Sequence, residues 1–156
     1  MSLIREGDFG AEALAHMVEW AWRLALDAHR GQVDKNGQPY ITHPLRVAAR
    51  MRPDDPASHI VALLHDAVED SHGAVNLKSL VREFPHRVVE ALDAISRRPG
   101  ETYFVYLERC GQNPLARTVK LADLRDNLRD DRRYKGDEGL RERYQRSIRK
   151  LRTPTK

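Results

Sequence analysis

Residues 59 to 70 read HIVALLHDAVED, and seven of the nine residues from Ile60 to Val68 are apolar. A helix this apolar is packed on most of its circumference. His65 and Asp66 interrupt it side by side. An imidazole and a carboxylate in such a place are costly unless paired or metal-bound. Glu69 and Asp70 follow four residues after them, and helical spacing stacks all four polar residues on one side. A salt-bridged helix end facing solvent would look similar, but no lysine or arginine lies within the segment to pair with these acids.

The punctuation of the chain is helical throughout. Apolar residues at helical spacing (Leu14, Met17, Val18, Ala21, Leu24) predict a helix over 11–30, ended by Gly31. A loop with Asn36-Gly37 and Pro39 follows, then a helix begun near Pro44 and stopped by Pro53. Asp54-Asp55-Pro56 opens a third helix running to Asp70. Further helices are expected from Asn76 to Phe84, Pro85 to Ser96, Glu101 to Cys110, Asn113 to Arg133, and from Gly136-Asp137 onward. No stretch alternates cleanly over strand length. The expectation is one all-α domain spanning residues 1–156, with about eight helices.

A second polar interruption occurs in VKLADLRDNLRD. Asp123 sits among Val119, Leu121, Ala122 and Leu124, and Asn127 lies four residues on, over the same face. Asp126 and Asp130 read as surface acids in Arg–Asp ion pairs. A third candidate is His43 in PYITHP, fixed at a helix start by Pro44. Together His43, His65, Asp66 and Asp123 form a mixed nitrogen and oxygen set suited to Mn²⁺, Fe²⁺, Zn²⁺ or Mg²⁺-like ions, with positions left for water. Cys110 is the only cysteine, which excludes an intrachain disulfide framework and a thiolate zinc site.

The net charge of +4 is uneven, since residues 141–156 hold seven Lys/Arg against one acid. The basic C-terminal helix, 137–152, reads as a solvated helix end whose cations suit the helix dipole. Nucleic acid is not expected as a partner, because no aromatic stacking platform or nucleic-acid motif accompanies the charge. No apolar run reaches the roughly 18 residues of a membrane span, and the N-terminus lacks a signal-type apolar stretch. A cytoplasmic protein is expected.

The segments AHRGQVDKNGQPYITHPLRVA, ALLHDAVEDS and VKLADLRDNL, in that order, resemble the HD-domain hydrolase of RelA/SpoT proteins and their stand-alone small alarmone hydrolase relatives. The resemblance covers roughly residues 12–135. It implies an HD-domain helical bundle and a metal-dependent 3′-pyrophosphohydrolase acting on a phosphorylated nucleotide, (p)ppGpp in the first instance. It also implies that His43, His65, Asp66 and Asp123 hold one divalent ion, with Mn²⁺ the first choice. Glu69 and Asp70 match the family's paired catalytic acids, and Lys35 and Asn127 match substrate-contacting positions. Asp34 stands where the family has an arginine expected to stack on guanine. Aspartate cannot do so, which opens adenine alarmones, NADPH or another phosphorylated nucleotide as substrates. Another HD-superfamily nucleotidase or phosphodiesterase, or a nucleotide-binding module with degraded catalysis, are the alternatives.

Overall fold

The computed structural model describes residues 5–129 and 136–153, and among these it is helical without a strand. The elements are α1 (Ala11–Ala28), α2 (Thr42–Ala48), α3 (Pro56–Leu64), α4 (Ala67–Asp70), α5 (Leu77–Leu80), α6 (His86–Ile95), α7 (Tyr103–Gln112), α8 (Pro114–Asn127) and α9 (Glu138–Arg152). The all-α expectation holds. The single helix expected over 54–70 is instead two, because regular helix stops at Leu64 and resumes at Ala67. The helix expected to reach Arg133 ends at Asn127, and residues 130–133 lie outside the described residues.

Helix starts follow local chemistry. Asp55, Asn76, Thr102 and Asn113 each accept a hydrogen bond from a backbone N–H in the first turn of the helix that follows. Each satisfies a donor that a helix start would otherwise leave orphaned. Pro56 and Pro114 occupy the first helical position, where a missing N–H costs nothing.

Helix α3 is the axis of the domain. Seven of its nine residues are buried, and α1, α2, α6 and α8 all pack on it. This follows from its near-continuous apolar sequence, since every side needs a neighbour. The C-terminal end of this buried rod therefore delivers His65 into the middle of the domain. A smaller cluster of Leu107, Leu124 and Leu151 docks α9 on α7 and α8. Gly111 permits that approach, because a Cβ there would stand 3.2 Å from Leu151 Cδ2.

Leu92 on α6 is fully buried in the main core, whereas Leu26 on α1 is 39% exposed. Leu92→Ala is expected to cost about 2–5 kcal/mol and Leu26→Ala less than about 0.5 kcal/mol, both read from urea unfolding midpoints.

Candidate metal centre

His43, in the first turn of α2, and His65, at the end of α3, are both buried, with ring centroids 5.2 Å apart. Each ring is fixed through Nδ1. His65 Nδ1 lies 2.7 Å from the carbonyl of Ala62. A carbonyl only accepts, so this nitrogen carries the proton and Nε2 is the inward-facing atom. His43 Nδ1 donates to Asp126 Oδ2 at 2.7 Å. Asp126 is in turn clamped by Arg46, with Nε to Oδ1 at 2.9 Å and Nη2 to Oδ2 at 3.0 Å.

Two carboxylates face the free nitrogens. His43 Nε2 is 3.0 Å from Asp123 Oδ1 and 3.6 Å from Asp66 Oδ2. His65 Nε2 is 3.2 Å from Asp66 Oδ2 and 3.7 Å from Asp123 Oδ1. Ligand atoms each about 2.1 Å from a common ion sit roughly 3.0–3.4 Å from one another, so these separations fit a shared cation. His43, His65 and Asp66 present ligand atoms that all lie within 4.8 Å of one another. His65 Nε2 is buried without a hydrogen-bond partner, as a nitrogen reserved for a metal would be. The donor set is therefore suited to a divalent ion.

Regular helix ends at Leu64 and resumes at Ala67, so His65 and Asp66 sit in the turn between α3 and α4. On a regular helix adjacent side chains diverge by about 100°. At this turn the two side chains nonetheless meet, with His65 Nε2 3.2 Å from Asp66 Oδ2. Tyr40 donates its hydroxyl proton to Asp66 Oδ2 at 2.7 Å. Asp123 is held from both sides, by Lys120 Nζ on Oδ2 and Asn127 Nδ2 on Oδ1, each at 2.7 Å.

The protonation pattern follows from burial and charge. Burial pulls the His65 and His43 pKa values down, but Asp66 and Asp123 beside the first, and Asp123 and Asp126 beside the second, raise both above the usual imidazole value. Burial alone would raise Asp66 and Asp123. His65 beside Asp66, and Lys120 with His43 beside Asp123, hold both well below the usual range. A cation bound here would compete with protons for these two nitrogens.

The centre forms the floor of a cavity of about 580 Å³. Glu69 lines it, while Asp70, half-buried on the same short helix, does not. Burial and the nearby Asp66 raise the pKa of both Glu69 and Asp70. Lys35 and Asn127 line the cavity, and so do Arg97, Tyr103, Tyr106 and Arg143. Arg143 comes from α9 and stacks its guanidinium 4.8 Å over the Tyr103 ring. The basic helix is therefore part of the cavity wall and not only a solvated end. Asp34 also lines the cavity, but its Oδ1 accepts the amide protons of Asn36 and Gln38 at 2.8 and 2.9 Å. It is the residue that closes its own loop.

Asp126 overturns the surface reading, being fully buried behind His43. Asp130 lies outside the described residues. Lys120, Tyr40 and Arg46 were not singled out by the sequence. One signal for Arg46 was present: it stands three residues after His43, on the same helix face.

A family model described as HD domain matches residues 21–104, which include His43, His65 and Asp66 but stop short of Asp123. The chain belongs to the HD-domain family. Within it, its relatives are of the RelA/SpoT type. A protein named GTP pyrophosphokinase from Streptomyces coelicolor is 34% identical over 76% of this chain and 15% of its own length. One named guanosine-3′,5′-bis(diphosphate) 3′-pyrophosphohydrolase, from Aquifex aeolicus, is 28% identical over 74% of this chain and 18% of its own. The chain thus spans less than a fifth of these two relatives. The solved structure of a metazoan ortholog of SpoT, described as hydrolysing ppGpp, shares the fold. Its TM-score is 0.66 and its identity 21%, over 94% of this chain and 89% of that one. No helix among the described residues is long and apolar enough to cross a membrane.

The imidazole values raised above 6.5 predict that binding of a divalent ion, probed with Mn²⁺, releases protons and tightens as pH rises past that value. Asp126→Ala should weaken binding by about 10–100-fold by freeing the His43 ring. Titration calorimetry in buffers of different ionisation enthalpy checks both. A pH-independent affinity, or one unchanged in the variant, would contradict this account.

Proposed function

We propose that the chain is a metal-dependent nucleotide 3′-pyrophosphohydrolase, converting (p)ppGpp or a close relative to GDP or GTP and pyrophosphate in the cytoplasm. The observation that carries this reading is the convergence of two imidazoles and two carboxylates on the floor of a cavity whose wall carries Lys35, Arg97 and Arg143. A polyphosphate needs both a cation at the reacting phosphorus and positive charge around it. The relatives named pyrophosphohydrolase support the same reading. Relatives of either name are matched over less than a fifth of their length, so the site's own geometry carries the reading.

We assign His43, His65, Asp66 and Asp123 as the ligands of one divalent ion, with Mn²⁺ the first choice. Such an ion, when bound, would lower the pKa of water and offset phosphate charge. Glu69 takes the proton of the attacking water or returns one to the leaving ribose 3′-oxygen as the P–O3′ bond breaks. Its place on the cavity wall and its raised pKa support this. Asp70, the other acid of the pair, acts from behind Glu69 through its charge. Lys35 binds a phosphate, and Asn127 contacts the ribose while bracing Asp123.

Asp34 favours a second reading of substrate. With a carboxylate committed to its own loop, no cation stands at the position expected to stack on guanine. An adenine alarmone or NADPH would not lose a contact there.

Asp66→Ala is expected to lose metal and activity together. Glu69→Gln should keep its metal and lose roughly 10²–10⁴-fold in kcat. Metal content by mass spectrometry, beside turnover of ppGpp, pppGpp, ppApp, NADPH and cyclic dinucleotides with product identification, tests the function. Equal metal loss in both variants would remove Glu69 from its role, and release of products other than pyrophosphate would overturn the reaction.

A further inference from the structure

Glu69 is held from outside the metal centre. Its Oε1 accepts the backbone N–H of Arg97 at 2.5 Å. Arg97 lies in the segment 96–102 that links α6 to α7. The carbonyl of that same peptide unit belongs to Ser96, and it accepts Nη2 of Arg109 at 2.8 Å. A peptide unit is planar and its C=O and N–H point in opposite directions. The guanidinium on one edge and Glu69 on the other therefore fix one rigid plate from both ends.

Arg109 has little freedom of its own. Nη1 donates to the carbonyl of Asp93 in the last turn of α6 at 2.6 Å. Nε and Nη2 form a two-pronged pair with Glu101 Oε1 and Oε2 at 2.9 and 2.8 Å. Glu101 Oε2 also accepts the Arg98 N–H at 3.0 Å, and the Glu101 carbonyl accepts Arg97 Nε at 2.9 Å. The two charged side chains are only 19% and 10% exposed. A planar, five-donor fork is what such a set of fixed acceptors requires, and an ammonium cannot reproduce it.

We propose that Arg109, paired with Glu101, is a positioning residue for Glu69: it orients the Ser96–Arg97 peptide so that its N–H holds the Glu69 carboxylate at the cavity wall. The proposal rests on the assignment of Glu69 to proton handling. Removing Arg109 frees the Ser96 carbonyl, lets the plate rotate, and releases Glu69 from its anchor. The metal ligands, Lys35 and Arg143 are not touched, and of the wall's cations only Arg97 shares the plate, through its backbone. The loss should fall more on the chemical step than on binding.

The test compares wild type, Arg109→Gln, Glu69→Gln and the double variant, each loaded with Mn²⁺. Arg109→Gln is expected to lower kcat for ppGpp by roughly 10–100-fold with a change in KM several-fold smaller and metal content unaltered. In the Glu69→Gln background the same change should cost nothing further, because its route of action is already gone. The Arg97 amide proton, read by NMR, should move to the same side in both single variants. Additive losses in kcat with an unmoved Arg97 amide would overturn the proposal and leave Arg109 as a staple between α6 and α7. If Arg109→Gln does not fold, Glu101→Gln serves with the same readouts, since it loosens the guanidinium without removing it. If the wild type hydrolyses no alarmone, the reading of function fails, and the Arg97 amide still decides whether Arg109 holds Glu69.

Discussion

The hydrogen bond from His43 to Asp126 is the contact on which the centre depends. An imidazole that is 1% exposed must have its polar atoms accounted for. Asp126 supplies an acceptor that is itself fully buried, and that carboxylate is made tolerable by Arg46, which clamps it with two bonds, and by Arg129 Nη1 at 3.7 Å. The chain of three residues ties α2 to α8 and fixes which nitrogen of His43 faces the ligand position. His65 reaches the same end more cheaply, by donating Nδ1 to the carbonyl one turn back on its own helix. One imidazole is thus set by secondary structure and the other by tertiary structure.

The same division explains the break after Leu64. Helix α3 must be apolar on every side to serve as the axis of the domain, which leaves no face free for a polar pair. Ending the regular helix moves His65 and Asp66 to its tip, where α2 and α8 bring His43 and Asp123 to meet them. Glu69 is then carried one short turn further and anchored by the Arg97 amide.

Much of this was legible in the sequence, for identifiable reasons. Caps at Asp55, Asn76 and Asn113 act locally, so their helix starts were readable. Asp123 stood out because its neighbours are apolar, and the structure places it against both imidazoles. Asp126 did not stand out. It stands in a stretch with Arg125 before it and Arg129 three residues on, and the partner that buries it is 83 residues away. Lys120 and Tyr40 were hidden for the same reason, since a lysine or tyrosine beside an apolar run is ordinary until its carboxylate partner is known. The break at His65-Asp66 was illegible because both residues keep near-helical backbone angles, and no glycine or proline marks the spot. Asp34 shows the opposite limit. Its departure from the family pattern was visible, but its role in closing a turn rests on bonds to the Asn36 and Gln38 amides that a residue pattern does not encode.

Helix α8 joins the two halves of the architecture. One side of it presents Asp123 and Asn127 to the cavity, with Asp126 buried behind His43. Another side presents Leu124 to Leu107 and Leu151, the cluster that seats α9. Asp123 and Leu124 are consecutive, so the position of the basic helix is set within one residue of a candidate metal ligand. Arg143 is then carried over Tyr103 and into the cavity wall. The charge concentrated at the C-terminus is therefore not spread at random over the surface. Packing of three leucines directs part of it toward the floor of carboxylates, where a polyanion bridging cation and wall would find both.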